Sequence, residues 1–518
     1  MNGAHALLDT LVLNGVDTCF TNPGTSEMHF VAALDDVPEM RAVLTLFEGV
    51  ATGAADGYGR MADKPAATLL HLGPGLGNGL ANLHNARRAH TPVVNIIGNH
   101  ATYHQALDAP LESDITTVAR NVSEWIKETP TVEQIGADTA AAIVAAQRGT
   151  VATLILPADV SWSEGAQVGP HAAHIGVLEV AADEIELAAK VLRAGRPAAL
   201  LLGGGALRAD ALDAAGRVAR ATGAKLLCET FPARLERGAG LPAVERLGYL
   251  AEFALAQLQG LEHLVLVGAR SPVSFFAYPG QAGVLVPNGC DVVDLVPAGY
   301  NAAIALARLA DAVDAPARGA TGPAGASAER PERPTGALTS ESLARAIGAV
   351  LPDGVIVSDE ANTAGLYVTG ASAGAGRHDW LTLTGGAIGQ GMPVATGAAV
   401  ACPDRPVLSL EADGSAMYTL QSLWTQAREG LDVTTVIFNN RSYAILNLEL
   451  SRVGAATDGN AADLFDLSRP PIDFVALARG MGVDGVRAET ADDVVNALDR
   501  AFAEPGPHLI DAILPTGF

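Results

Sequence analysis

LSLEADGSAMYTLQSLWTQAREGLDVTTVIFNN, residues 408–440, reads as two apolar strands joined by a helix. The first strand runs into Ala412-Asp413-Gly414-Ser415 and the second ends at Asn439-Asn440. Asp413 and Asn440 are 27 positions apart, yet both fall at the carboxyl ends of neighbouring strands. That edge is where open α/β sheets bind ligands. A carboxylate (Asp413), an amide oxygen (Asn440) and a loop carbonyl (Ser442) suit octahedral Mg²⁺, completed by phosphate oxygens and water. Gly414 lets the backbone approach a phosphate closely, and the helix N-terminus at Ser415 favours an anion.

The same grammar recurs outward in both directions. Short apolar runs end in Gly, Pro or a polar cluster, and Ala-rich amphipathic stretches follow. The runs are PAATLLHLG, TPVVNIIGN, TVATLILP, PAALLLGGG, EHLVLVGA, DGVIVSDE, RPVLSLEADG, DVTTVIFNN and GPHLIDAIL. Little alternation within a run implies burial on both faces. Strands alternating with helices give an α/β protein of doubly wound parallel sheets. Two breaks divide the pattern, one after Ser163 and a Pro/Ala/Gly-rich one at 314–339. The expected domains are 1–165, 180–313 and 340–518, with 314–339 a linker. A length of 518 residues agrees with about three domains.

Composition removes several classes. Hydrophobic residues at 49% against charged at 17% exclude disorder for most of the chain. A net charge of −24, from 33 Lys+Arg and 57 Asp+Glu, excludes nucleic acid and anionic membrane as partners. No run is apolar enough for a membrane span, and the N-terminus reads as a helix without a basic leader. Cys19, Cys228, Cys290 and Cys402 are scattered without a CxxC pair, against zinc and against a disulfide framework. A cytoplasmic protein with reduced thiols is expected.

The Ala412–Asn440 unit resembles the thiamine diphosphate motif, GDG followed after 24 to 27 residues by NN, with Ala412 in place of the first Gly. The first 100 residues resemble the pyrimidine-binding domain of the same superfamily, in the branch of benzoylformate decarboxylase and acetolactate synthase. The resemblance implies thiamine diphosphate and Mg²⁺ as cofactors and gives roles to particular residues. Glu48, at the head of an Ala/Gly helix, would bond the aminopyrimidine N1′ and promote the ylide; its setting predicts a desolvated carboxylate with a raised pKa. Asn22-Pro23-Gly24-Thr25-Ser26-Glu27 resembles a loop that touches the substrate carboxylate, making Thr25 or Ser26 the orienting residue. His71 matches an active-site histidine that handles protons. Asn362 and Thr363 would bind the diphosphate, with Gly414 and Ser415. Gly386 would offer its carbonyl to the 4′-amino group, and Ile388 would wedge under the bent cofactor. Tyr443 and Leu446 would line the substrate side. Without the resemblance, Glu48 reads as a helix-dipole carboxylate, His71 as a core histidine and Ile388 as a core aliphatic. His84, His90, His100 and His104 carry no match and are expected to be structural or exposed. Gly73-Pro-Gly75-Leu-Gly77-Asn-Gly79 is expected to be a tight loop.

The branch divides at two places. Acetolactate synthases carry FAD and place a Met and a Trp shortly after NN; here RSYAILNLELSRVG has neither, and no acidic strand end of their kind is found in the middle domain. FAD is therefore not expected. SPVSFFAYPGQ resembles the segment that supplies a second histidine in benzoylformate decarboxylase, and Phe276 stands there, a candidate pocket residue. The leading expectation is a 2-oxo acid decarboxylase working through an enamine. The alternatives are an acetolactate synthase-like carboligase and a catalytically silent paralogue. The resemblance further implies a homodimer or homotetramer with active sites between subunits.

Overall fold

The computed structural model describes residues 1–173, 176–317, 328–455 and 459–516. The middle of the expected linker, 318–327, and two positions of the first break, 174–175, lie outside the described residues. The chain divides into two compact units. Unit one comprises 1–175, 331–372 and 383–518; unit two comprises 176–330 and 373–382.

Unit one opens with six strands: β1 (Thr18–Thr21), β2 (Arg41–Leu44), β3 (Ala66–His71), β4 (Val93–Asn99), β5 (Trp125–Glu128) and β6 (Val151–Pro157). They form one parallel sheet in the order β2-β1-β3-β4-β6-β5. β4 and β6 are buried along their whole length, as continuous apolar runs require. Val93, Val94, Ile96 and Ile97 have no exposed surface, and each such side chain contributes about 1.5–3 kcal/mol by leaving water. Two helices place functional groups over this sheet: α1 (Glu48–Ala62) and α2 (Leu72–Ala89).

Unit two holds β7 (Ala198–Leu202), β8 (Lys225–Cys228), β9 (Leu235–Arg237), β10 (Glu245–Arg246), β11 (His263–Val267) and β12 (Asp291–Val296). Five of these make a parallel sheet, β10-β8-β7-β11-β12, with apolar clusters on both faces.

The rest of unit one contains β13 (Ile356–Glu360), followed along the chain by β14 (His378–Thr382) of unit two, which pairs antiparallel with β9. Then come β15 (Val407–Ala412), β16 (Val433–Asn439), β17 (Asp484–Ala488) and β18 (His508–Ile513). In unit one the neighbours run β17-β18-β16-β15-β13, all parallel. Helix α3 (Gly391–Ala401) is buried against α1.

Three parallel α/β sheets are thus present, and all nine apolar runs read from the sequence are strands. One expectation is overturned. Gly73–Gly79 is the first two turns of α2, not a tight loop. Its glycines leave room for neighbours: a Cβ at Gly79 would meet the Thr52 side chain of α1 at 2.9 Å. Glycine weakens a helix locally, and packing of α2 on α1 and β3 overrides that preference. All four cysteines are free, and Cys19 and Cys228 are buried. Among the described residues no helix is long and apolar enough to cross a membrane.

Candidate active site

Two clusters form at the carboxyl ends of the two sheets in unit one. The first lies where β1 and β3 end. Gly24–Glu27 makes a tight turn in which the Gly24 amide donates to Glu27 Oε2 at 2.7 Å. The same oxygen lies 2.9 Å from His71 Nδ1. Ser26 Oγ donates to Glu27 Oε1 and is 3.2 Å from His71 Nδ1. Glu27 is 1% exposed, so its carboxylate is committed to these contacts. A carboxylate acceptor at Nδ1 places the proton there and leaves Nε2 as the working nitrogen of His71. Thr25 is exposed on the turn. Glu27 was not singled out from the sequence, although it ends the quoted NPGTSE loop.

Glu48 is the first residue of α1 and is buried at 8% exposure. Its Oε2 accepts the amide of Asn78, from the α2 segment expected to be a loop. Asn82, one turn further along α2, donates to the carbonyls of Gly49 (2.8 Å) and Gly389 (3.1 Å). The head of α1 and the loop before α3 are thereby tied together.

That loop carries Gly386 and Ile388. Asn85 grips it at Ala387, donating to the carbonyl at 2.8 Å and accepting from the amide at 3.2 Å. His84 Nε2 sits 3.1 Å from the Gly385 carbonyl, so this histidine anchors the loop. Gly386 is exposed and Ile388 half-buried, which sets Ile388 apart from a sealed core aliphatic.

The second cluster lies where β13, β15 and β16 end. Asp413 begins a helical turn directly after β15. Its Oδ1 accepts the Gly414 amide at 2.8 Å and its Oδ2 the Arg441 amide at 2.6 Å. Asn440 Oδ1 accepts the Ser442 amide at 3.1 Å. Asp413 and Asn440 therefore bracket one loop, as the strand register requires. Burial pushes the Asp413 carboxyl up to about 6 despite the amides that stabilise its charge. A buried carboxylate under that strain, next to an amide oxygen and loop carbonyls, is a hard-oxygen donor set suited to a divalent cation. Among the described residues no group of three or more His, Cys, Asp and Glu gathers, so any cation here would rely on amide, carbonyl and external oxygens.

Asn362 Nδ2 donates to Ser415 Oγ at 3.0 Å, joining the two segments expected to meet a diphosphate. Thr363 follows in the same short turn. The Tyr443 ring lies against Gly414, and burial pushes the Tyr443 hydroxyl up, followed by its neighbours Tyr418 and Asp413. Leu446 is 41% exposed on the next helix. Among the described residues seven non-glycines adopt positive φ. Three of them adjoin site residues or are one: Leu72 after His71, Asn362 itself, and Arg441 after Asn440. Backbone strain of this kind concentrates at functional positions. Phe276, in unit two, is 57% exposed and meets Phe275 edge-on at 6.2 Å.

Residues 1–121 match the family described as thiamine pyrophosphate enzyme, N-terminal TPP binding domain. Residues 369–512 match thiamine pyrophosphate enzyme, C-terminal TPP binding domain. Over its whole length the chain is 62% identical to IlvX of Mycobacterium tuberculosis, which carries a provisional name as an acetolactate synthase large subunit; 99% of that protein is covered. It is 28% identical to the benzoylformate decarboxylase of Pseudomonas aeruginosa, covering 98% of this chain and 97% of that one. The solved thiamine diphosphate-dependent 4-hydroxybenzoylformate decarboxylase of Rhodococcus jostii RHA1 matches with a TM-score of 0.86 at 25% identity, covering 100% of this chain and 99% of that one. The chain belongs to the thiamine pyrophosphate enzyme family. Within it, the chain is a thiamine diphosphate-dependent enzyme of the acetolactate synthase and benzoylformate decarboxylase type.

Proposed function

We propose that this enzyme decarboxylates a 2-oxo acid, with thiamine diphosphate and Mg²⁺ as cofactors. The observation that carries the reading is the Glu27–His71–Ser26 cluster, which presents one oriented imidazole at the sheet end that also carries Glu48. Thiamine diphosphate, when bound, supplies the carbon nucleophile and the electron sink for loss of CO₂. Asp413, Asn440 and the Ser442 carbonyl would hold Mg²⁺. Asn362, Thr363, Gly414 and Ser415 would hold the diphosphate. The Gly386 carbonyl, Ile388 and Glu48 would fix the aminopyrimidine, Glu48 holding the proton at N1′. His71 Nε2 then exchanges a proton with the reacting carbon or oxygen, its ring held from behind by Glu27. Thr25 is left to meet the substrate carboxylate, since the Ser26 hydroxyl is turned to Glu27. Tyr443 and Leu446 would line the substrate side. The test is CO₂ release from aliphatic and aromatic 2-oxo acids with both cofactors present; silence across the whole panel would sink the reading.

A second reading, joining the decarboxylated fragment to another carbonyl compound, is favoured by the 62% identity to IlvX. Acetolactate formed from pyruvate at a rate matching CO₂ release would establish it. FAD is not part of either reading. Acetolactate output unchanged by added FAD is the expected result.

The functional enzyme is proposed to be a homodimer or homotetramer. Apolar side chains beside the site segments are exposed in the single chain: Leu46 before Glu48, Leu366 and Tyr367 after Thr363, Met417 and Tyr418 after Ser415. Their concentration there supports an interface that completes the site. A monomeric mass in sedimentation at working concentration would contradict it.

A further inference from the structure

Glu360 and Glu411 are register partners on adjacent parallel strands, β13 and β15. Both are buried, at 2% and 1% exposure. Burial pushes Glu360 up to about 7, and burial together with the charge of Glu360 drives Glu411 well above the ordinary carboxylate range. Two like groups kept side by side in the interior are costly, and the reaction outlined above uses neither.

The contacts of Glu360 show what it holds. Its Oε1 accepts the Gly389 amide at 2.7 Å and its Oε2 the Gly391 amide at 2.5 Å. Both donors belong to the entry of α3, where backbone N–H groups have no partner within the helix. Between them, Gln390 turns its amide to Asp56 at 2.8 Å, and the Gly389 carbonyl takes Thr419 Oγ1 at 3.0 Å. The Ser415 hydroxyl also bonds the Glu360 carboxylate, and Asn362 bonds Ser415. One carboxylate therefore joins the loop that carries Gly386 and Ile388 to the Asn362–Ser415 contact. Glu411 plays no such part: its Oε1 takes Ser409 Oγ at 2.9 Å, and it fits because residue 391 has no side chain. A Cβ there would lie 2.0 Å from Glu411 Oε1 and 2.9 Å from Glu360 Cβ.

We propose that Glu360 is a positioning residue for the cofactor. Its carboxylate fixes the Gly385–Gly389 loop through the Gly389 and Gly391 amides and registers it against Ser415 and Asn362. The proposal rests on the reading that this loop grips the aminopyrimidine. Two amide donors on one side chain demand two acceptor oxygens. Glutamine has one, and its NH₂ would face the other donor. A loop released to several conformers binds more weakly by the fraction that remains competent.

The test uses the full chain as E360Q, E411Q and I388A. Thiamine diphosphate with Mg²⁺ is titrated calorimetrically into each, and each is melted without cofactor. E360Q removes a buried like charge but leaves one loop amide without an acceptor, so its melting temperature should stay near that of the wild type while it binds the cofactor about tenfold more weakly. E411Q relieves the same repulsion without touching the loop, and should melt higher with affinity unchanged. E360Q affinity within about twofold of wild type overturns the proposal. So does an E360Q chain that loses melting temperature along with affinity, because that is a merely structural role. I388A separates the proposal from its premise. If I388A leaves affinity unchanged, the loop assignment falls and the proposal with it. If I388A weakens binding and E360Q does not, only the proposal falls.

Discussion

At the end of the first sheet, Glu27 and Glu48 each meet a side-chain nitrogen: His71 for one, the Asn78 amide for the other. At the end of the β13–β15–β16 sheet, Glu360, Glu411 and Asp413 meet backbone amides, hydroxyls and one another, and burial pushes all three carboxyls up. The end proposed to handle protons is assembled from its own residues. The other end holds more negative charge than its neighbours balance, within a chain of net charge −24. An acidic protein cannot recruit a diphosphate by its overall field. On the proposed reading it would take a cation at Asp413, together with the helix N-termini and amides there. The first end should therefore be sensitive to geometry, and the second to charge and cofactor.

The sharpest break in that contrast is D413N. It removes the one carboxylate at the proposed metal position at nearly constant size, and its NH₂ meets one of the two amides that Asp413 accepts. Mg²⁺-dependent cofactor binding should vanish in calorimetry, and activity should fall by about a thousandfold or more. Cofactor affinity close to wild type would show that the acid cluster serves something else. At the other end, H71A should leave cofactor affinity within about twofold and lower kcat by about a hundredfold to ten-thousandfold, the usual worth of a positioned acid–base. A fall in affinity instead would place His71 among the binding residues.

The architecture was open to reading because buried parallel strands leave continuous apolar runs, and all nine runs became strands. Asp413 and Asn440 were legible for the same reason, since a strand–helix–strand unit fixes its two ends side by side. What escaped depended on contacts that leave no local trace. Glu27 lies in a quoted loop, but its partner His71 is 44 residues away. Glu360 and Glu411 became a pair only once β13 and β15 were seen to be neighbours. Asn82, His84 and Asn85 reach the loop at 385–389 across 307, 301 and 302 residues. The Gly73–Gly79 helix was hidden because glycine lowers helix propensity, and the close approach that calls for glycine is a tertiary fact.

A smaller effect reads the charge imbalance directly. Glu360 is raised from 4.5 to about 7 and Asp413 from 3.8 to about 6. Folded-state values above the unfolded ones mean that the folded chain binds these protons more tightly. The penalty is absent below the unfolded values, accumulates as pH rises above them, and is complete once pH passes about 6 for Asp413 and about 7 for Glu360. For Asp413 alone it amounts to about 3 kcal/mol once the group is ionised. The cofactor-free protein should therefore melt higher near pH 5.5 than near pH 8. With thiamine diphosphate and Mg²⁺ added, a metal at the proposed position would hold Asp413 ionised, so the gain in melting temperature should be larger at the higher pH. A cofactor-free melting temperature that climbs with pH across this window would refute the imbalance.

E27Q is the mildest of these perturbations and tests the self-sufficient end. The introduced glutamine can still accept the Gly24 amide through its oxygen. That same oxygen faces His71 Nδ1, so the contact survives without the carboxylate's charge, and the introduced NH₂ meets Ser26 Oγ, which turns to accept. The imidazole keeps its orientation but loses the negative charge that stabilises it when it takes up a proton, which weakens proton exchange at Nε2. The expected outcome is a fall in kcat of about tenfold with KM and cofactor affinity near wild type, because neither substrate nor cofactor contacts Glu27. E27D keeps the charge but shortens the reach and should recover part of the loss. If E27Q instead raises KM at constant kcat, Glu27 shapes substrate binding through the Thr25–Ser26 turn, and His71 does not depend on it.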